Sequence, residues 1–240
     1  MNTRIYAAEK SFDIGCRVVK WDESKGLNFT PLGKFTKRNL SFDKLSPLVK
    51  QFTIHWSVTY RGIDTFTGLN ARGLSCNFII GDDDVNGYAS IFQTLDIVNA
   101  GWSQGQGLND LGPGVEISYM PDAYTKDRYT LLDRQRWGVP KHETVLATVH
   151  GAKLKVHIPT KAQIASLVQL MWGFSELFPN VPAKFPRTPQ GFPTLTKLNN
   201  PREYSGFVSH YHLRREKIDT AGLDMEMLEQ EVEARKKFGY

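Results

Sequence analysis

Apolar and polar positions alternate in short runs over much of the chain and switch to helical spacing near its end. Phe52 to His55 is a compact apolar run that predicts a strand, and Leu74 to Ile80 predicts a second, with Tyr88 to Leu95 returning beside it. Alternation is clearest over Gly114 to Tyr119, where Val115, Ile117 and Tyr119 fall on one face and Glu116 and Ser118 on the other. Val145 to Val149 and Ala152 to Val156 predict a small hairpin turning through His150-Gly151, and Phe207 to Leu213 predicts a further strand. Thr160-Lys161-Ala162-Gln163 has the form of a capping box, and behind it Ile164, Leu167, Val168, Met171, Phe174 and Phe178 recur at helical spacing up to Pro179. Asp224 to Lys237 predicts a charged terminal helix with Met225, Leu228 and Val232 as its apolar stripe. Thr59 to Arg72, Gly101 to Gly114 and the proline-rich 179–203 read as loops, and 120–157 reads as irregular apart from its hairpin.

Strands and helices mixed without strict alternation predict a single α/β (α+β) domain, a mixed central β-sheet flanked by helices. Residues 1–50 are polar, are broken by Gly26, Pro31, Gly33 and Pro47, and contain no linker, so they read as an N-terminal extension packed on the same domain as 51–240. A chain of 240 residues with 40% hydrophobic content is long enough for that one large core.

Composition narrows the function classes. No apolar run is long enough for a transmembrane helix, and Met1 to Lys10 lacks the apolar core of a secretory signal, so a cytoplasmic product is expected. Two cysteines, Cys16 and Cys76, are then expected to be reduced. A net charge of +5 suits an anionic polymer, and the absence of interleaved arginine and aromatic residues argues against nucleic acid. Asp82, Asp84, Asn86 and Gly87 match the start of a calcium loop, but Gln93 stands at its twelfth position and the flanks read as strands; a solvated turn is expected.

The chemistry concentrates in Ser209-His210-Tyr211-His212 and in Lys217-Ile218-Asp219. Histidine nitrogen and aspartate oxygen are ordinary zinc ligands, and a catalytic zinc takes three protein ligands and keeps one position for water. This segment supplies two, and the third is sought at His55, where a short apolar strand ends. His210 and His212 leave an extended strand on the same side, so spacing does not choose between them.

Taken in order, these pieces resemble the zinc-dependent N-acetylmuramoyl-L-alanine amidases of type 2, the family of the peptidoglycan recognition proteins and phage amidase endolysins. The resemblance is carried by Ile54-His55-Trp56-Ser57, by Leu74 to Ile80 with its acidic turn, by Asn109-Asp110 before Gly114-Val115-Glu116-Ile117, by the Thr160 to Phe178 helix, and by Ser209-His210 before Lys217-Ile218-Asp219-Thr220-Ala221-Gly222-Leu223-Asp224. It runs from about Thr53 to about Asp224 and makes 51–240 an amidase-like catalytic domain. It implies Zn2+ held by His55, His210 and Asp219, Glu116 as acid and base, Lys217 as the group facing the developing negative charge, and Trp56, Ser57, Trp102 and Asn109 toward substrate. Trp102 stands where many members have a histidine, Cys76 where some have a tyrosine, Asn77 where many have a histidine, and Thr220-Ala221-Gly222 replaces a proline-glycine turn.

The implied activity is hydrolysis of the amide between N-acetylmuramic acid and L-alanine in peptidoglycan, in a phage lytic enzyme or, less favoured, a recycling enzyme. The alternative is a non-catalytic peptidoglycan-binding or phage structural protein on the same fold. Taken singly the residues have plainer uses: His55 as a core histidine, Asp219 as a turn cap, Lys217 as a solvated lysine beside Arg214, Arg215 and Glu216, Glu116 as an edge residue. Cys76 reads as a small buried hydrophobe, and His142, His150 and His157 as surface residues.

Overall fold

The computed structural model describes residues 1–121, 136, 138 and 140–239. The chain opens with a ribbon of β1 (Arg4–Ala7) and β2 (Lys10–Asp13), then β3 (Val18–Lys20), β4 (Phe35–Thr36) and a single turn, α1 (Phe42–Leu45). Then come β5 (Gln51–Trp56), α2 (Gly62–Ala71), β6 (Phe78–Ile80), β7 (Ile91–Gln93), β8 (Ala100–Gly101) and β9 (Gly114–Ile117). A hairpin of β10 (Thr144–Val149) and β11 (Ala152–His157) leads to α3 (Lys161–Leu177), β12 (Gly206–Ser209), a one-turn α4 (His210–Leu213) and α5 (Met225–Phe238).

Six strands form one mixed sheet in the order β12-β5-β9-β6-β7-β3. The first four run parallel, β7 is antiparallel to β6, and β3 is parallel to β7. The fold is therefore mixed α/β, as expected.

Period-two alternation divides the sheet into two unlike faces. Phe52, Ile54 and Trp56, Phe78 and Ile80, Val115 and Ile117, and Phe207 lie in the main core, together with Leu167, Leu170, Met171 and Phe174 of α3. The Phe174 and Phe52 rings meet at 5.1 Å. The opposite face carries two smaller clusters. Ile79 packs with Phe29, Leu69, Cys76 and Leu95 at one side, and Val208 with Leu108, Leu111 and Leu213 at the other. Thr53, His55 and Glu116 belong to neither cluster, and they occupy the strip between them.

The helix ends follow their sequence signals. The Thr160 hydroxyl accepts the Gln163 N–H while the Gln163 amide oxygen accepts the Thr160 N–H, which closes the capping box. Asp224 caps α5 by accepting from Met227 N–H at 2.9 Å. The Asp82–Asp84 acids are spent on nearby backbone: Asp82 accepts Gly62 N–H, Asp83 accepts Ser90 N–H and Asp84 accepts Gly87 N–H. From residues 1–50, β3 forms an edge of the central sheet, and Ile5, Ala7, Ile14, Val18, Leu45 and Val49 sit in the main core.

Four expectations are corrected. Thr59 to Arg72 is not a loop: Gly62–Ala71 is helical, with Thr65 and Leu69 buried and Phe66 packed on the smaller cluster. Phe207 to Leu213 is not one strand: it stops at Ser209, where the His212 ring accepts the Ser209 N–H at 3.0 Å and the chain turns into α4. The strands expected over Leu74 to Ile80 and Tyr88 to Leu95 shorten to three residues each. His142 and His157 are buried rather than superficial. His142 Nδ1–H donates to Ile158 O at 2.8 Å, the ring stacks on Tyr119 at 5.4 Å, and burial pushes its pKa down to about 4. Much of the irregular stretch expected between 120 and 144 lies outside the described residues. Among the described residues, no helix is long and apolar enough to cross a membrane.

Candidate metal centre and cleft

Strand register assembles the site. His55 of β5 stands directly beside Glu116 of β9, and Ser209 at the end of β12 stands beside Ile54. The residue after Ser209 is His210, so it emerges next to His55 at the carboxyl end of the parallel strands, where open α/β sheets place ligands. The chain then returns through a loop to Asp219, whose backbone oxygen accepts Tyr211 N–H at 3.0 Å.

Three ligand atoms converge there. His55 Nδ1 lies 3.0 Å from His210 Nδ1, His210 Nδ1 lies 3.0 Å from Asp219 Oδ2, and His55 Nδ1 lies 3.3 Å from the same oxygen. All three residues are buried. Ligand atoms on a four-coordinate ion with bonds of about 2.0–2.2 Å stand about 3.3–3.6 Å apart, so the observed triangle matches such an ion to within a few tenths of an ångström. Three buried atoms that all carry lone pairs do not share one point without a proton or a cation between them. The group can therefore hold a metal ion. At Asp219, burial opposes the charge, but the hydrogen bonds and positive ends of His210 and His55 outweigh it and hold the carboxyl well below the usual carboxylate range.

The structure also separates His210 from His212. His212 Nδ1 accepts Ser209 N–H and its Nε2 donates to Thr194 O at 2.7 Å, so both nitrogens are used in holding the backbone. Burial pushes it down to about 4, which keeps it neutral. It fastens the turn that aims His210.

The triangle lines a cleft of about 490 Å3 together with Glu116, Lys217, Trp56 and Ser57. Burial, the largest influence, raises the Glu116 carboxyl to about 7 against the opposing pull of His55. Its Oε2 is buried without a hydrogen-bond partner. Lys217 is half-buried at the cleft wall, and its carbonyl accepts His150 Nε2–H at 3.0 Å from the β10–β11 turn. Trp56 contributes only a rim, since its ring packs edge-on against Tyr119 in the main core. The Ser57 hydroxyl joins a chain running through Thr59 (2.8 Å) and Thr65 (2.6 Å) to Ser118 (2.8 Å), tying the end of β5 to α2 and β9. Trp102 and Asn109 line an adjoining lobe of about 430 Å3. The Asn109 side-chain oxygen accepts the Gln104 and Gly105 N–H groups, so it shapes the loop. Cys76 and Asn77 stay out of the cleft: the Cys76 thiol donates to Phe78 O and is pushed up by burial, and the Asn77 amide donates to Asp96 O and Asn99 O.

Sequence reasoning missed Thr65, Arg72, Val58 and Ser103, which also line the cleft. The first two arrive on or just after α2, and the four-residue spacing of Thr65 and Leu69, which puts both on one helix face, was the signal that could have found Thr65. Val58 has φ of 57°, a left-handed conformation that a β-branched residue adopts only under constraint. The hydroxyl chain holding Ser57 and Thr59 on either side supplies that constraint. Val58→Gly is expected to stabilise the protein by about 1 kcal/mol in chemical denaturation, since Gly accepts this φ without a Cβ clash.

No family model matches this chain, and no curated protein matches it.

Proposed function

We propose that the protein is a zinc hydrolase that cleaves the amide between N-acetylmuramic acid and L-alanine in peptidoglycan, using the fold of the type 2 amidases. The observation that carries this is the meeting of His55 Nδ1, His210 Nδ1 and Asp219 Oδ2 beside a buried, unpartnered Glu116 oxygen at a cleft floor. Two imidazoles and one carboxylate form a donor set suited to hydrolytic zinc, with a position left for water. Bound there, zinc would polarise the scissile carbonyl and make water more acidic.

The chain's own residues divide the remaining work. Glu116 Oε2 takes a proton from the attacking water and delivers it to the leaving amine nitrogen, a task suited to a carboxyl whose pKa lies near neutrality. The Lys217 ammonium faces the oxygen on which negative charge develops. The backbone bond from His150 fixes the loop that presents Lys217. The hydroxyl chain from Ser57 to Ser118 keeps α2 against the cleft.

A binding protein without catalysis is the competing interpretation, favoured by the departures from the family's residues at Trp102, Cys76 and Asn77, of which only Trp102 lines the cleft's adjoining lobe. The two separate on a pair of measurements. The purified protein is expected to hold about one equivalent of zinc and to clear a suspension of bacterial walls while releasing new amino termini, and a strong chelator is expected to stop the release. Walls that bind the zinc-loaded protein but release no amine would overturn the hydrolase proposal.

A further inference from the structure

On the far side of the His55 ring from the ligand triangle, side chains close over one bare glycine. Thr53 of β5 pairs directly with Gly114 of β9, as His55 does with Glu116, so all four share one face of the sheet. A Cβ on Gly114 would stand 2.7 Å from Ser103 Oγ, 3.5 Å from His55 Nε2 and 3.7 Å from Gln104 Nε2. Glycine at 114 is what lets Ser103 and Gln104 come down onto the sheet beside His55.

His55 Nδ1 belongs to the triangle, but its Nε2 is buried with no hydrogen-bond partner. Ser103 Oγ and Gln104 Oε1 are buried and unpartnered as well. Gln104 Nε2 is already used, since it donates to Gly112 O at 2.8 Å, so this amide offers only its oxygen. Thr53 Oγ1 is a further unpartnered atom, but it is not among the three nearest to the Gly114 position. Ser103 is held from both sides: Trp102 N–H donates to Ser75 Oγ at 3.0 Å, and Gln104 N–H donates to Asn109 Oδ1 at 2.9 Å. Buried polar atoms gathered in one place are costly unless they bond to one another, and a small shift or one bridging water is enough to pair them.

We propose that Ser103 is the positioning residue for His55. Its hydroxyl oxygen accepts the His55 Nε2–H, directly or through one bridging water, and its own proton goes to Gln104 Oε1, whose amide is anchored on Gly112 O. A neutral imidazole carries one N–H. Holding it on Nε2 leaves the Nδ1 lone pair aimed at the point shared with His210 and Asp219, and it fixes the plane of the ring. The assignment rests on the zinc centre of the amidase proposal, and it concerns how tightly the metal is held rather than which bond is cut.

The test is the zinc affinity of the full chain, read by competition with a chromogenic chelator, beside NMR of the zinc-loaded protein with isotope-labelled histidine. Ser103→Ala is expected to bind zinc about tenfold more weakly, the scale of a lost partner to a ligating imidazole. It is also expected to lose the slowly exchanging His55 Nε2–H signal that the wild type shows. Ser103→Thr keeps a hydroxyl and is expected to stay within about threefold of wild type and to keep the signal. Gly114→Ala, whose methyl displaces the Ser103 hydroxyl, is expected to follow Ser103→Ala. A merely structural role would move the melting temperature of the metal-free chain but not the Nε2–H signal. Wild-type zinc affinity in Ser103→Ala, or an Nε2–H signal unchanged by that substitution, would overturn the assignment. Either result leaves the amidase proposal standing if amine release from walls persists; weakened zinc binding in Ser103→Ala without amine release by the wild type does the reverse.

Discussion

Asp219→Ala is expected to abolish zinc binding and wall hydrolysis together while leaving the fold in place. Asp219 supplies the only negative charge among the three ligands, and that charge is favoured by the two imidazoles against the cost of burial. Without it, two imidazoles remain, one ligand short of a catalytic zinc site. The loop itself is held through backbone: Asp219 O still accepts Tyr211 N–H, and Lys217 O still accepts His150. Zinc is therefore expected to raise the melting temperature of the wild type, by mass action on the native state, and to leave that of Asp219→Ala unmoved. His55→Ala and His210→Ala are expected to behave alike, whereas His212→Ala, which destabilises the α4 turn, is expected to retain zinc once folded. Retained stoichiometric zinc in Asp219→Ala would defeat the proposed centre.

Glu116→Gln is expected to do the opposite: keep zinc, lose turnover, and gain stability in the metal-free state at alkaline pH. Loss of a positioned acid and base costs about 10²–10⁴-fold in kcat. The stability change follows from the raised carboxyl. In the unfolded chain the group ionises near 4.5; in the fold it ionises at about 7. Between those values the native state holds a proton the unfolded state has released, so native stability falls as pH rises through the window. The loss is absent below the lower value and complete above the upper one, on the order of 3 kcal/mol. Glutamine carries no such loss. With chelator present, melting curves of the two proteins are expected to diverge from pH 5 to pH 8, the variant becoming the more stable. Parallel curves across that range would remove Glu116 as a buried, strained acid. Zinc nearby favours the carboxylate, so the divergence is expected to shrink in the loaded protein.

What the sequence disclosed depended on whether a residue's role was local. The α3 stripe and its cap were legible because Thr160, Gln163 and the apolar positions up to Phe178 lie within one element. Alternation placed Glu116 on the polar side of its strand, but only pairing set it beside His55. His210 and His212 were inseparable in an extended reading; they diverge because the strand ends and a helical turn points them apart. Helix α2 was hidden by Gly62, Thr65, Thr67 and Gly68, weak helix formers whose buried members are not all apolar. Trp56 looked like a groove residue, yet most of it belongs to the core, while Trp102 became a lining residue through Thr36, a partner 66 positions away.

The pairing of β5 with β12 joins segments 155 positions apart, measured at His55 and His210. A chain still emerging from the ribosome carries His55 more than 150 residues before it gains His210 and Asp219. No N-terminal fragment that stops short of Asp219 contains the full donor set, so any hydrolytic power built on it arrives only after the ribosome has passed that residue.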